Sequence, residues 1–294
     1  QLAIAEAEEE VYWVDKKGGR RQQVRLVVTP LEAAPALQEW VEHLTTAVYT
    51  SATLTVGNSF TYMRSRLGLT ELDAAELVIS SPFSYREQAL LCIPGDLPEP
   101  NDRDYLDALS SAVGRLVEAS RGRALVLFTS YRALDFVAER LRPICEKEGW
   151  SLLVQGEQGR SQMLAAFRED NSVLLGTDSF WEGVDVPGQA LSCLILTRLP
   201  FRVPDEPVAE ARHEALRRRG YDPFYNYSMP EAVLKFKQGF GRLIRSHRDR
   251  GVVVVCDRRI LSRQYGRWFL ASLPECASWR GSLSEVVSLV REWV

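Results

Sequence analysis

One stretch near the carboxyl end combines residue types that bind and activate a polyphosphate. In a helix, Gln238, Arg242 and Arg245 fall at i, i+4 and i+7 and project from one face. Guanidinium groups grip phosphoryl oxygens and neutralise the charge that develops during phosphoryl transfer. Gly239 and Gly241 would each cost about 1 kcal/mol in a helix interior, so we expect something to approach that backbone closely. The alternative, a solvated basic face, leaves both glycines unexplained.

The loop from Gly176 to Gly188 is rich in small, hydroxyl and carboxylate side chains. Thr177 can donate to a phosphate oxygen, whereas Glu182 and Asp185 only accept and suit ribose hydroxyls, a bound water or a basic partner. Glycines such as Gly183 permit tight turns and close approach of a ligand. The alternative is a surface turn with two solvated acids.

Two further groups of hydroxyls follow predicted strands. Thr129, Ser130 and Tyr131 end one strand and open a helix, where hydroxyls and unpaired amides can hold a phosphate. Ordinary N-capping by Ser130 is the alternative. Ser51 and Thr53 follow a shorter strand and could link a phosphate site to a neighbouring loop.

Four aromatic residues lie close together at Tyr221, Phe224, Tyr225 and Tyr227. They could stack nucleobases, or they could pack the long connection that carries them onto the sheet. Packing is the interpretation we favour.

No GxxxxGK[ST] sequence occurs, so the chain has no P-loop and cannot by itself cradle β- and γ-phosphates as P-loop enzymes do. Because the three histidines are scattered and no HExxH or EF-hand pattern occurs, no metal site is expected.

The composition is that of a globular protein. Of 294 residues, 46% are hydrophobic and 26% charged, and no apolar run approaches the ~18 residues that cross a bilayer, which excludes a transmembrane protein. The net charge of −3 restricts any nucleic-acid contact to a local site.

Five cysteines without CxxC spacing fit buried, reduced thiols in a cytoplasmic protein. No signal-peptide pattern occurs, and we expect the chain to be a fragment of something longer.

From residue 80 onward, short apolar runs alternate with helix-length amphipathic segments, which predicts a doubly wound, mostly parallel α/β sheet. The predicted strands are Ala89–Ile93, Ala124–Thr129, Ser151–Gln155, Val173–Gly176, Ser192–Thr197 and Val252–Cys256. Ligands of such sheets bind beyond the carboxyl ends of the strands. Asp102 and Ser130 are predicted N-caps, and Gly122 and Gly149 are predicted helix stops.

The pattern before residue 80 predicts separate local elements. Strands at Val11–Asp15 and Gln23–Thr29 flank two glycines and form a hairpin. A helix over Leu31–Leu44 and a short strand at Ala47–Thr50 follow. Near the carboxyl end, a helix is predicted to begin at Pro230 and to continue through Arg245.

Four segments, taken in order, resemble helicase motifs III to VI of the DinG/XPD family of superfamily 2 ATP-dependent DNA helicases. They are Thr50–Thr53, Leu125–Tyr131, Gly176–Gly188 and Gln238–Ser246. Leu199-Pro200-Phe201, with the following Pro204-Asp205-Glu206-Pro207, looks more like the DinG branch than the XPD branch. The resemblance covers essentially the whole chain, which lacks motifs I, Ia and II and the four-cysteine iron–sulfur module of many members.

The resemblance implies two RecA-like domains that bind ATP and Mg²⁺ between them and single-stranded DNA across both, with this chain supplying the second domain. Arg242 and Arg245 would be arginine fingers, and Gln238 would contact the γ-phosphate or its attacking water. The residues implied to line the nucleotide are Glu182, Gly183, Asp185 and Gly241. The residues implied to contact DNA are Thr129, Ser130, Tyr131, Thr177 and Asp178. Ser51 and Thr53 would couple the two events.

The resemblance also implies how the chain is organised. Residues 1–56 would be the tail of helicase domain 1, and residues 57–294 would form RecA-like helicase domain 2. ATP and Mg²⁺ would be held mainly by residues outside this chain, which would encode no iron–sulfur cluster and be inactive alone. The parent would be a cytoplasmic, monomeric 5′ to 3′ DNA helicase with roles in repair. The alternative is a catalytically inactive RecA-like module that binds single-stranded nucleic acid or a partner.

Overall fold

A computed structural model describes residues 10–17, 23–169, 171–181, 190–202 and 206–294. The chain divides into two compact units. The first contains Gln1–Leu77 and Phe201–Glu231, and the second contains Val78–Pro200 and Ala232–Val294. No described helix is long and apolar enough to cross a membrane.

The first unit begins with an antiparallel hairpin. Strand β1 (Glu10–Lys17) pairs with β2 (Gln23–Pro30), and Trp13 lies opposite Val27. This confirms the predicted hairpin, whose turn at 18–22 lies outside the described residues. The other described elements of this unit are α1 (Ala34–Glu42), α2 (Thr61–Leu67), α8 (Pro207–Arg218) and a π-helix (Phe224–Ser228).

The predicted strand at Ala47–Thr50 was wrong. This segment has no strand assignment, and Val48 is 82% exposed. A strand exists only when a neighbour completes its hydrogen-bond ladder, and no segment in the described ranges pairs with this one.

The second unit is built on a parallel sheet of seven described strands in the order β5-β6-β4-β7-β8-β3-β9. The strands are β3 (Ala89–Pro94), β4 (Ala124–Leu127), β5 (Ser151–Val154), β6 (Ser172–Gly176), β7 (Cys193–Leu196), β8 (Gly251–Val255) and β9 (Ala277–Gly281). All six predicted strands are confirmed. Strand β9 was missed because its sequence, Ala-Ser-Trp-Arg-Gly, is not an apolar run, as suits a half-exposed edge strand.

Helices connect and cover these strands. They are α3 (Tyr85–Gln88), α4 (Tyr105–Ala119), α5 (Tyr131–Glu148), α6 (Arg160–Glu169), α7 (Asp178–Trp181), α9 (Met229–Phe240), α10 (Arg259–Ser262), α11 (Gly266–Ala271) and α12 (Leu283–Trp293). Helices α4, α5 and α12 pack a core onto one sheet face, and strand residues of the other face, such as Leu125 and Val253, are buried too. A sheet buried on both faces confirms the predicted α/β class.

Local signals at the helix ends explain where several elements stop. Ser130 caps α5 by accepting a hydrogen bond from Ala133 N at 3.3 Å, and Gly149, at φ +71°, ends that helix. Asp102 does not cap α4, whose N-cap is Asp104. Instead, its carboxylate accepts from Glu99 N at 2.7 Å in the preceding turn.

Candidate functional site

The carboxyl ends of three neighbouring strands carry most of the predicted DNA-contacting residues. Strands β5, β6 and β4 are adjacent and parallel, so their carboxyl ends lie at the same edge of the sheet. Gln155 follows β5, Thr177 follows β6 and Thr129 follows β4 by two residues. Parallel strand order therefore brings together side chains that are distant in sequence.

Gln155 joins these loops through both ends of its amide. Its Oε1 accepts from the backbone N of Thr177 at 2.6 Å and from Thr177 Oγ1 at 3.1 Å. Its Nε2 donates to Tyr131 Oη at 2.8 Å and to Ser179 Oγ at 3.3 Å. Because Thr177 is buried and its hydroxyl bonds Gln155, its role here is to fix the loop. Sequence reasoning missed Gln155, although its place directly after a strand was a usable signal.

The other predicted DNA-contacting residues lie closer to solvent. Ser130 and Tyr131 are exposed, and Thr129 is half-buried. Asp178 is exposed and forms an ion pair with Lys235 of α9. At the residue after Asp178, Arg160 Nη2 donates to Ser179 O at 3.0 Å, which adds a guanidinium to this edge of the sheet.

Trp181, at the end of α7, is fully buried between the loops after β4 and β6. Its indole Nε1 donates to Phe128 O at 2.8 Å, and its own carbonyl accepts from Arg242 Nε at 3.1 Å. A Cβ built on Gly239 would lie 2.8 Å from the indole. The expected close approach to the helix backbone is therefore confirmed at Gly239, where the protein's own ring makes it. At Gly241, a Cβ would meet nothing closer than Lys237 O at 3.5 Å.

The prediction that a single helix carries Gln238, Arg242 and Arg245 was wrong. Helix α9 ends at Phe240, so Gln238 lies in its last turn and the two arginines follow it. Arg242 N bonds Gly239 O at 3.0 Å, an i to i−3 contact that tightens the chain at the helix end. Both arginines and Gln238 are half-buried, and burial lowers the pKa of the neighbouring Lys237.

Asp249 holds the backbone that carries Arg245. Its Oδ2 accepts from Arg245 N at 2.7 Å and from Ser246 N at 2.8 Å, and its Oδ1 accepts from Ser246 Oγ at 2.8 Å. Gln88 Nε2 donates to Ser246 O at 2.9 Å and to Asp249 O at 2.8 Å. These bonds give the backbone amides of Arg245 and Ser246, which follow α9, hydrogen-bond partners outside a helix. The sequence analysis assigned no role to Asp249.

The remaining predicted residues fall elsewhere. Glu182, Gly183 and Asp185 lie outside the described residues. In the first unit, Ser51 Oγ lies 3.2 Å from Thr53 Oγ1 and accepts from Thr53 N at 3.2 Å, so the two hydroxyls form a local turn. Across the described ranges, no group of three or more His, Cys, Asp or Glu side chains could hold a metal ion.

This chain is similar in sequence to several known proteins. Residues 113–276 match the family described as the helicase C-terminal domain. The chain is 44% identical over 282 residues to the ATP-dependent DNA helicase YoaA of Haemophilus influenzae, covering 95% of this chain and 43% of that protein. It is 40% identical over 269 residues to the ATP-dependent DNA helicase DinG of Photobacterium profundum, covering 89% and 39%. The chain thus spans less than half the length of these relatives.

The fold also resembles a solved structure. S. tokodaii Xpd4 superimposes with a TM-score of 0.58 at 18% identity, covering 89% of this chain and 51% of that one. At 18% identity this likeness shows similarity of fold alone. It confirms the predicted RecA-like architecture.

Proposed function

This chain belongs to the helicase C-terminal domain family, as part of a DinG/YoaA-type DNA helicase, and from that premise we propose that it is the second motor domain of its parent. In this proposal Arg242 and Arg245 reach ATP held by helicase domain 1 and neutralise the charge that develops on the γ-phosphate. Gln238 contacts the γ-phosphate or its attacking water.

The contacts of Trp181 carry this proposal. One residue bonds both Arg242, on the proposed nucleotide side, and Phe128, in the chain that leads to the proposed DNA-contacting loop. A shift of either segment would therefore strain the other, which is what a motor needs to couple ATP turnover to DNA movement.

The partners follow from the same proposal. Single-stranded DNA would contact Thr129, Ser130, Tyr131 and Asp178, with Thr177 supporting their loop and Ser51 and Thr53 coupling the two events. Residues 1–56 would complete helicase domain 1, and Glu182, Gly183, Asp185 and Gly241 would line the nucleotide. ATP and Mg²⁺ would be held mainly by residues outside this chain, which would therefore not hydrolyse ATP alone. The parent would translocate 5′ to 3′.

The test is ATP turnover by the full-length parent in the presence of single-stranded DNA. We expect Arg242→Ala or Arg245→Ala to lower turnover by ~10³ or more without unfolding the protein, as the loss of an arginine finger does. Arg248→Ala is the matched control, because this exposed arginine lies three residues beyond Arg245. Near-normal turnover in both finger variants contradicts the proposal.

A second candidate function is a non-enzymatic module that keeps the fold and binds single-stranded nucleic acid or a partner. It predicts salt-sensitive binding by this chain and a parent whose turnover does not depend on Gln238, Arg242 or Arg245. The presence of Gln238, Arg242 and Arg245 together favours the motor, since a pure binding module has no need of this set.

A further inference from the structure

The first unit carries an exposed basic and aromatic segment that motifs III to VI do not include. Arg217, Arg218 and Arg219 close α8, and Tyr221 and Tyr225 follow within six residues. We call these five residues the arginine–tyrosine surface. All of them are exposed.

Two local motifs fix the backbone of this surface. Gly220 adopts φ +79°, and Tyr221 N bonds Leu216 O at 2.9 Å, which ends α8 in a left-handed turn and places Tyr221 beside its last turn. Asp222 Oδ1 then accepts from Phe224 N at 2.8 Å at the start of the π-helix. The segment is therefore an ordered platform.

The four aromatic residues noted in the sequence divide into two pairs. Phe224 stacks on Phe201 with ring centroids 5.5 Å apart, and Tyr227 is 5% exposed. Packing therefore accounts for that pair. Tyr221 is 58% exposed. Tyr225 meets the Phe224 ring edge to face with centroids 5.2 Å apart, yet 49% of its surface stays exposed, so both rings remain accessible to a ligand.

Two of the three arginines of the surface lack an ion-pair partner among the described residues, and one exposed carboxylate, that of Asp222, lies in the same segment. Arg217 and Arg219 form no ion pair with any described residue, and Arg218 meets Glu214 at 3.6 Å in an exposed pair, which is a weak contact. The dipole of α8 favours cations at its carboxyl end, but it leaves their guanidinium donors available to a ligand.

We propose that the arginine–tyrosine surface binds single-stranded DNA, with bases stacked on Tyr221 and Tyr225 and phosphates at Arg217 and Arg219. Aromatic rings combined with cations along a backbone are how proteins bind single strands without sequence preference. An anionic strand fits better than an apolar protein face, because no aliphatic side chain is exposed between residues 217 and 226. This contact adds to the DNA binding proposed above and rests on it.

Photo-crosslinking tests the contact directly. The 294-residue chain is irradiated with an iodouracil-substituted oligothymidylate, and the adducts are mapped by mass spectrometry. Adducts on Tyr221 or Tyr225 support the surface. Adducts confined to Tyr131 overturn it, and so does an absence of adducts at both Tyr221 and Tyr225. In either case the proposed function is judged separately, by ATP turnover of the full-length parent.

Affinity measurements on variants of the same chain give a second readout. Tyr221→Ala with Tyr225→Ala should weaken oligothymidylate binding at least about fivefold, and Phe at both positions should restore it. Arg217→Gln with Arg219→Gln should reduce the slope of log affinity against log salt by about 1.4, since each single-strand phosphate contact contributes about 0.7. Arg291→Gln, in the last turn of α12, is the matched control. Unchanged affinity in a folded double tyrosine variant overturns the proposal.

Discussion

The indole of Trp181 donates to the carbonyl of Phe128 at 2.8 Å, across 53 positions of sequence. Through its own carbonyl, Trp181 also receives the Arg242 guanidinium at 3.1 Å. The loop after β6 is thereby fastened on one side to the end of β4 and on the other to the turn after α9. We test this region with three substitutions and the packing of the second unit through its cysteines.

Replacing Trp181 by Phe keeps an aromatic ring and removes the donor to Phe128. We expect the free energy of unfolding to fall by about 1–3 kcal/mol, because a buried carbonyl loses this partner. Urea denaturation of the chain measures the change. Trp279→Phe is the control, since Trp279 is 44% exposed on β9 and should shift stability by no more than about 0.5 kcal/mol. Equal stability of the two variants would contradict the role given to the indole nitrogen.

Gly239→Ala tests the close approach of the indole to α9. In an open helix this change adds about 1 kcal/mol of stability, but here the new Cβ would lie 2.8 Å from Trp181. We expect overpacking to reverse the sign and cost about 1–3 kcal/mol, measured by thermal or urea unfolding. Gly241→Ala, with nothing nearer than 3.5 Å, should be close to neutral. A stabilised Gly239→Ala protein rules out this packing.

Asp249→Asn tests the loop that carries Arg245. An amide nitrogen cannot accept, so one of the bonds to Arg245 N, Ser246 N and Ser246 Oγ must be lost or rearranged. We expect about 1–3 kcal/mol of lost stability and a lower kcat in the parent, with a smaller change in KM. Asp102→Asn, which affects one bond in an exposed turn, should cost less. An unchanged kcat in the parent would contradict the role of Asp249 in positioning Arg245.

The cysteines offer a test of burial in the second unit. Burial raises the pKa of Cys92 and Cys256 to about 12 and that of Cys145 to about 11, and it also raises the pKa of Cys193 and Cys276. Because the thiolate is the nucleophile, a raised pKa keeps the reactive fraction small at pH 8. We expect slow reaction with a thiol reagent in the native chain and rapid reaction of all five thiols in urea. Rapid native modification of Cys92 or Cys256 would contradict this burial.

Local sequence signals predicted much of the fold. Six of the sheet's strands are continuous apolar runs, and Ser130 and Gly149 mark the two ends of α5 as expected. Strand β9 and the segment Ala47–Thr50 were mispredicted for opposite reasons. The first pairs despite a polar sequence, and the second has strand-like residues without a described neighbour to pair with.

The candidate site was only partly predictable. The types and order of its residues identified the loops. They did not show which side chains from other parts of the chain bond those loops. Gln155 acts on Thr177, 22 positions away, because β5 and β6 are neighbours in the sheet. The length of α9 was overestimated. After Phe240 the amides of Arg242 and Leu243 bond carbonyls three residues earlier, and Asp249 takes the amides of Arg245 and Ser246.

By itself the sequence determined the α/β class, the family resemblance and the residues that could meet a phosphate, because these depend on periodicity, spacing and side-chain chemistry along one stretch of chain. Tertiary structure alone decided what approaches Gly239, what Gln155 joins and which tyrosines face solvent. Those outcomes depend on strand order and on donors and acceptors brought together from distant positions, and no local pattern encodes that pairing.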